Sequence, residues 1–367
     1  CATFSAKNHL SRDALAGRLY TYGMPPLALQ HSFEFPKHRL FMESEEPLRS
    51  TNRLNIRNNL RIMTYPGYLH LYKSGELFTR IEKGKALLQK CQICPRRCKV
   101  NRLENKPGVC KVGRQIKVSS YAPHFGEESP LVGTHGSGTI FITSCNLGCV
   151  FCQNFDISHL GEGYEVSPAR LAQMMIELQQ LGCHNVNFVT PTHVVPQILE
   201  ALPTAIENGL QIPLVYNTGG YDLVETLRLL EGVIDVYMPD FKFSDDKVAA
   251  KLCKARDYPQ VTMNAIKEMH RQTGDLVVNH HGIAVRGLIV RHLVMPNGLA
   301  GTRKVMQFLA REISPDTYVN IMDQYHPCGL AGKYPEINRR IRVEEFENAI
   351  QIAHEEGLHR LDAEWYF

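Results

Sequence analysis

From about residue 136 onward, short apolar runs alternate with stretches of helical period. The runs at 139–143, 185–190, 212–217, 233–238, 287–294 and 317–322 have the length and composition of buried strands. Between them, Leu171, Met174, Met175, Leu178 and Leu181 recur at helical spacing, and Val194, Val195, Ile198, Leu199, Leu202, Ala205 and Ile206 do the same. Ser167-Pro168 predicts a helix start, with a capping hydroxyl followed by proline at the first helical position. Gly209 suits the end of the next helix. The methionines and leucines on these faces read as core, not as cofactor contacts. Six strands joined through helices, with right-handed crossovers, predict an α/β fold with a parallel sheet. Periodicity alone leaves open whether that sheet is flat or curled.

The first 85 residues carry no such rhythm. Pro25-Pro26, Pro36, Pro47 and Pro66-Gly67 interrupt them. Helical turns are predicted at 10–20 and at 75–90, the second including Ile81, Ala86, Leu87 and Leu88. Asp13 is the single acid among residues 1–33, against Lys7, Arg12 and Arg18, a balance shared by organellar transit remnants and ordinary N-terminal arms. The expected compartment is cytoplasmic, or an organelle if this segment is a processed targeting sequence. The expected organisation is an irregular arm over 1–85, a four-cysteine metal-binding segment over 86–120, and a strand–helix domain with a C-terminal helix over 121–367.

Composition narrows the classes. Hydrophobic residues at 44% and charged residues at 21% are those of an ordinary globular chain. A formal charge of +4 is too weak to point to nucleic acid, and no run of about 18 apolar residues spans a membrane. Cysteine changes the picture. Seven of the eleven fall in two tight groups, Cys91 to Cys110 and Cys145 to Cys152, which reads as metal ligation in a reducing compartment.

The first group is Cys91, Cys94, Cys98 and Cys110, with Pro95 and Pro107-Gly108 allowing the backbone to fold back. Four thiolates within twenty residues can wrap one ion or cluster. Zinc and an auxiliary 4Fe–4S cluster both fit. Arg96, Arg97, Lys99 and Arg102 could hold phosphates; the preferred reading is a solvated face that offsets thiolate charge.

The second group is Cys145-Asn146-Leu147-Gly148-Cys149-Val150-Phe151-Cys152, directly after the first of the strands. Three thiols in one loop leave one iron of a cubane cluster without a protein ligand, open to a substrate or cofactor. A structural zinc site or plain buried thiols are the bland alternatives. The C-x3-C-x2-C spacing, the aromatic residue before the last cysteine, Gly-Ser-Gly-Thr-Ile-Phe upstream and Cys-Gln-Asn downstream resemble the radical S-adenosylmethionine (SAM) superfamily, in the branch similar to pyruvate formate-lyase activating enzymes. The resemblance covers about 90–345. It implies a partial (β/α)6 barrel of the TIM type, a 4Fe–4S cluster on Cys145, Cys149 and Cys152, and SAM chelated at the open iron. It also implies reductive cleavage to a 5′-deoxyadenosyl radical that abstracts hydrogen from a protein glycine or another substrate.

Working residues of a barrel lie at the C-terminal ends of strands. The second strand ends in Val189-Thr190-Pro191-Thr192-His193, where those enzymes usually carry Gly-Gly-Glu-Pro. Thr190 and Thr192 are candidate SAM contacts; His193 is either a contact or a cap for the following helix. The third ends in Asn217-Thr218-Gly219-Gly220, similar to the activases' Thr-Asn-Gly turn, with Asn217 and Gly219 as contacts. The fourth ends in Asp240-Phe241-Lys242, similar to their Asp-x-Lys element; a plain salt bridge competes. Arg291 on the fifth strand suits a carboxylate, while His292 beside it reads as packed under a helix. Asn320 and Gln324-Tyr325-His326 close the set, His326 being the candidate for the late histidine of the family. The resemblance implies a flavodoxin- or ferredoxin-like electron donor and admits a protein substrate; no membrane partner is expected. The competing classes are a zinc or iron–sulfur module associated with RNA, and an electron carrier or scaffold.

Overall fold

The computed structural model describes residues 66–362, all within one compact unit. The helical turn expected at 10–20 and the transit-like stretch lie outside the described residues. Helices α1 (Tyr68–Lys73) and α2 (Glu76–Gln89) come first, followed by the irregular cysteine-rich stretch. Strand β1 (Ile116–His124), the single turn α3 (Ser129–Val132) and β2 (Ser137–Ile142) lead to the second cysteine loop. Then come β3 (Tyr164–Val166), α4 (Pro168–Gln180), β4 (Val186–Val189), α5 (Val195–Glu207) and β5 (Leu214–Thr218). The next stretch holds α6 (Val224–Leu227), β6 (Val236–Pro239), α7 (Asp246–Cys253), α8 (Tyr258–Thr273) and β7 (Val277–Val278). The last elements are β8 (Ala284–Leu293), α9 (Thr302–Phe308), β9 (Tyr318–Met322) and α10 (Val343–Glu355). No described helix is long and apolar enough to cross a membrane.

All six expected strands are present. β2, β4, β5, β6, β8 and β9 are neighbours in that order and pair in parallel. β1 joins β2 antiparallel, β3 extends that edge, and β7 pairs antiparallel with β8. The sequence reading did not anticipate these three. β1 buries only Ile116 and Val118, so its pattern lacks the continuous apolar run of a strand covered on both faces.

Alternation splits the side chains of the parallel strands into two cores. Ile140, Phe188, Tyr216, Tyr237, Leu288, Val290 and Val319 face the helices in the large outer core. Val215, Val236, Met238 and Ile289 turn the other way and pack with Leu131 of α3 in a small separate core. Glu127 and Glu128, just beyond β1, meet Arg291 of β8, and Glu128 accepts from Asn320 of β9. β1 lies beyond one end of the parallel set and β9 at the other, so these contacts require the sheet to curl. It is the partial TIM-like barrel, with α3 plugging its interior.

Local signals decided the helix ends. Ser167 Oγ accepts from Arg170 N at 3.2 Å and starts α4. At the end of α5, Gly209 takes φ +92°, with Gly209 N donating to Ile206 O and Leu210 N to Ala205 O, a Schellman closure. Leu181 departs from its expected core position: it follows the last turn of α4 and is exposed.

His292 is buried beneath α9 as expected. Its Nδ1 lies 2.7 Å from Phe241 O and its Nε2 3.0 Å from Thr302 Oγ1, so Nδ1 carries the proton and Nε2 accepts. Burial pushes its pKa down to about 4. A depressed histidine stabilises the fold above its unfolded value of 6.5 and loses that contribution as pH falls through about 4. The stability of the parent relative to His292→Asn, read from denaturant midpoints, should therefore decline between those values. A difference that stays flat across that window would contradict this assignment.

Candidate active site at the barrel mouth

The stretch from Cys91 to Cys110 is a loop wrapped on itself. Cys91 N donates to Val100 O, Lys99 N to Cys91 O and Arg97 N to Cys94 O, each at 2.9 Å. Positive φ values at Arg97, Lys99, Asn105 and Lys111 make the turns, a strain that non-glycine residues hold only where surrounding structure enforces it. The four thiols lie within electrostatic reach of one another: Cys94 feels Cys110, Cys91 and Cys98, and Cys110 feels Cys91 and Cys98. Burial pushes the Cys94 thiol up to about 12.

This segment is tied to the barrel by arginines, against the expectation of a solvated face. Arg102 is fully buried and donates Nε to Gly113 O at 2.9 Å and Nη1 to His193 O at 2.6 Å. Arg96 donates Nε to Asn146 O at 2.8 Å and Nη1 to Lys254 O at 2.6 Å. Thr226 Oγ1 donates to Ile93 O at 2.6 Å. One arginine therefore reaches from the first cysteine group directly into the second.

The second loop leaves the C-terminal end of β2 and is fastened on several sides. Gly148 N donates to Cys253 O at 3.2 Å, Val150 N to Leu252 O at 2.9 Å and Leu330 N to Val150 O at 2.7 Å. Asn146 Nδ2 donates to Tyr221 O at 2.7 Å. Its thiols also converge: Cys145 feels Cys149 and Cys152, and Cys152 feels Cys149. Burial first, then Cys149, pushes Cys145 up to about 12. Thiols this reluctant to ionise alone are suited to a cationic metal partner.

The backbone around both groups favours thiolates. Leu147 N points at Cys145 Sγ and Val109 N at Cys98 Sγ, both at 3.3 Å. The amides of Arg96, Val112 and Asn154 stabilise Cys94, Cys110 and Cys152 in the same way. Five of the seven sulfurs thus accept an N–H, so this donor set fits metal thiolates. Among the described residues, no three His, Cys, Asp or Glu side chains are gathered closely enough for a single ion. A cubane does not require that, because each thiolate binds a different iron.

Two further cysteines stand beside the loop and carried no spacing signal. Cys253 Sγ, fully buried, lies 3.3 Å from Cys149 Sγ. Even two sulfurs on one zinc ion stand about 3.8 Å apart, given bonds of about 2.3 Å, so as placed these two cannot both be ligands. Cys253 sits behind Cys149. Cys328 feels Cys152 from the other side and is partly exposed.

The strand ends meet below the loop. Arg291 donates Nε to Asp240 Oδ1 at 3.1 Å, Nη2 to Asn217 Oδ1 at 2.9 Å and Nη1 to Glu127 Oε2 at 3.1 Å. Asp240 also pairs with Lys242 Nζ. Burial works against charge on Asp240, yet Lys242 and Arg291 outweigh it and hold its carboxyl below the usual range. Burial likewise opposes the charge on Lys242, but Asp240 and then Cys149 keep its ammonium strongly protonated. The same ammonium lowers the pKa of all three loop thiols. Gly219 fits between Leu147 of the loop and Lys242; a Cβ there would lie 3.1 Å from Leu147 Cδ1.

The strand-two residues divide. Thr190, at φ +62°, donates its N–H to Asn217 O at 2.8 Å beside the cluster of strand ends. Thr192 is spent elsewhere, with its hydroxyl 2.9 Å from Thr218 Oγ1 in a buried network around Asp222. His193 makes no side-chain cap on α5. Its Nε2 lies 3.1 Å from Thr143 O, and burial, then Arg102, pushes its pKa down to about 3. His326 lies on the loop after β9, with Nδ1 3.2 Å from Gln324 O. The sequence reading missed Glu127 and Glu128, whose role exists only once the sheet curls.

A family profile described as the radical SAM superfamily matches residues 139–287, from β2 into β8. The uncharacterized protein MJ0674 of Methanocaldococcus jannaschii is 36% identical over 300 residues, covering 79% of this chain and 82% of that protein. A second uncharacterized protein of that organism, MJ0808, is 25% identical over 289 residues, covering 73% and 79%. Among solved structures, the FeFe-hydrogenase maturase HydG from Carboxydothermus hydrogenoformans aligns at 10% identity with a TM-score of 0.45, over 61% of this chain and 51% of that one. The structure of anSMEcpe with bound AdoMet aligns at 11% identity with a TM-score of 0.41, over 58% and 57%. The chain spans about half the length of these two structures.

Replacing Arg96 by Ala removes the direct tie between the two cysteine groups. The partly exposed hydrogen bonds it makes are worth about 1–2 kcal/mol of local stability. Amide exchange over 145–150 should quicken roughly tenfold while α4 and α5 stay protected. Unchanged exchange in the loop would show that the tie is idle.

Proposed function

The chain belongs to the radical SAM superfamily, and from that premise we propose that SAM binds at its barrel mouth, beside the loop of Cys145, Cys149 and Cys152. Membership carries with it SAM cleavage at an iron–sulfur cluster, and a bound 4Fe–4S cluster supplies the electron that breaks the sulfonium bond. Cys145, Cys149 and Cys152 would hold three irons of that cluster and leave the fourth to SAM. The observation that carries this reading is the position of Lys242. Its side chain lies across Gly219 from Leu147 of the cysteine loop, and Asp240, braced by Arg291, holds its ammonium in place.

The strand ends divide the work of binding. Lys242 and Arg291 offer cations to a carboxylate, Asp240 an acceptor to a hydroxyl or ammonium group, and Asn217 an amide. Gly219 keeps the ground beneath the loop clear. Thr190 is the hydroxyl available from the second strand, whereas Thr192 serves the Asp222 network. Leu147, Cys149, Val150 and Phe151 of the loop are buried and limit water on that side of the reacting centre. The Asp240-x-Lys242 and Asn217-Thr218-Gly219 elements favour a relative of the pyruvate formate-lyase activating enzymes, acting on a protein glycine, another peptide or a small molecule. Cys91, Cys94, Cys98 and Cys110 would hold a second metal over the 86–120 segment of the proposed organisation, zinc or iron–sulfur, and their spacing as placed suits a cluster better than a single ion. A flavodoxin- or ferredoxin-like donor supplies electrons at the loop face.

Anaerobically reconstituted protein, reduced with dithionite, should convert SAM to 5′-deoxyadenosine and methionine. Cys149→Ala should reduce the product to background. Cys94→Ala should retain cleavage while lowering metal content and thermal stability. Iron-loaded, reduced protein that yields no 5′-deoxyadenosine would contradict the reading, and equal behaviour of the two variants would contradict the division of roles.

A further inference from the structure

The barrel interior below the proposed SAM site holds three carboxyl groups, Glu127, Glu128 and Asp240, against two cations, Arg291 and Lys242, and burial, outweighing Arg291, pushes Glu127 up to about 7. Glu127 and Glu128 are buried, with side chains 7% and 1% exposed. The donors that stand between them are already spent. Arg291 Nη1 reaches Glu127 Oε2, Asn217 Nδ2 lies 3.4 Å from that same oxygen, and Asn320 Nδ2 donates to Glu128 Oε1 at 2.8 Å. His124 Nδ1 stands 3.6 Å from Glu127 Oε1, and burial keeps this histidine inclined to the neutral form. Glu128 Oε2 has no hydrogen-bond partner.

A second, independent feature ends in the same way. Asn185 Nδ2 donates to the Leu131 carbonyl at 2.9 Å, and a carbonyl can only accept, so the Asn185 amide has one orientation. Its Oδ1 then accepts from Ser137 Oγ at 2.7 Å, which uses the hydroxyl proton. Ser137 Oγ is left to accept from Asn187 Nδ2 at 3.2 Å. The chain's polarity is fixed from its anchor, and it terminates in Asn187 Oδ1, an acceptor without a partner on a fully buried side chain. Asn187 alternates with Val186 and Phe188 of the outer core, so it faces the barrel interior. The anchor, Leu131, follows Glu128 by three residues, within the α3 plug.

Both open ends are acceptors. Leaving buried acceptors unmet costs about 1–3 kcal/mol each, more for a carboxylate. A carboxylate would bring only further acceptors, and a hydroxyl, though it can donate one hydrogen bond, leaves the buried carboxylate charge uncompensated. We propose that this floor binds the positively charged nitrogen of the substrate, a primary ammonium or a guanidinium. The proposal rests on the radical SAM reading for its reaction, but the binding itself does not depend on SAM cleavage. Glu128 is the specificity-determining carboxylate, and Asn187 offers a further neutral acceptor on the interior face of the barrel. The amine belongs either to a small molecule or to a basic side chain of a peptide.

Calorimetric titration of the cluster-loaded protein with SAM present tests this. The probes are 1,5-diaminopentane, its uncharged counterpart 1,5-pentanediol, and a short peptide with one central lysine compared with the same peptide carrying norleucine. At least one charged probe should bind tenfold or more tightly than its neutral counterpart, and which one does so identifies the source. Glu128→Gln should erase that preference. Should that variant fail to fold, Asn187→Leu should weaken the preferred probe severalfold in its place, and the charged-versus-neutral comparison on the parent stands without either. Equal binding of charged and neutral probes, or a preference that survives in folded Glu128→Gln, would overturn the proposal. Absence of 5′-deoxyadenosine alongside selective amine binding would instead count only against the SAM reading.

Discussion

A guanidinium removed from water must be compensated in place, and Arg291 is compensated from both ends of the sheet. Asp240 and Asn217 come from neighbouring strands, while Glu127 and Glu128 come from the segment beyond β1. Removing one partner of such a set typically costs about 3–5 kcal/mol, because the remaining charge stays buried. The interaction thus stabilises the curled form of the sheet over a flat one. It also defines a vertical order inside the barrel. Carboxylates from the plug form the floor, Arg291 and Asp240 the middle, and Lys242 the link to the three thiols above.

That order explains why the cysteine loop is built as it is. A loop with one buried and two half-buried thiols beside an ammonium gains little by itself, since burial, and for Cys149 first of all the Cys253 thiol, disfavours thiolates. Backbone N–H groups aimed at sulfur and the Lys242 charge shift the balance toward the ionised form that a metal needs. The first cysteine group is docked onto the same ground by Arg96 and Arg102, with Arg102 reaching the His193 carbonyl and His193 reaching Thr143 at the root of the loop. The two groups therefore share one scaffold, and loosening either is felt by the other.

Much of this was legible before any coordinates, and the reason is locality. The strands and the ends of α4 and α5 follow from short-range patterns such as Ser167-Pro168 and Gly209. Cys145, Cys149 and Cys152 are recognisable because their spacing confines them to one loop. What escaped depends on distance in the chain. Glu127 and Glu128 resemble any exposed pair of acids until the curl brings β8 and β9 over them. Arg102 looked solvated because its acceptors, the carbonyls of Gly113 and His193, carry no sequence mark. Cys253 gained its place behind Cys149 from the way α7 straps the loop, over a hundred residues away. β1 escaped because a strand with only Ile116 and Val118 buried shows too little apolar pattern to be seen.

On the proposed reading, an iron left open by Cys145, Cys149 and Cys152 receives SAM above the Arg291–Asp240–Lys242 set. Electron paramagnetic resonance of the reduced, reconstituted protein, with and without SAM labelled with nitrogen-15 at its amino group, tests it most directly. The account predicts a reduced 4Fe–4S signal that changes on adding SAM and shows hyperfine coupling to the label, with both lost in Cys149→Ala. A cluster signal indifferent to SAM and free of that coupling would contradict it.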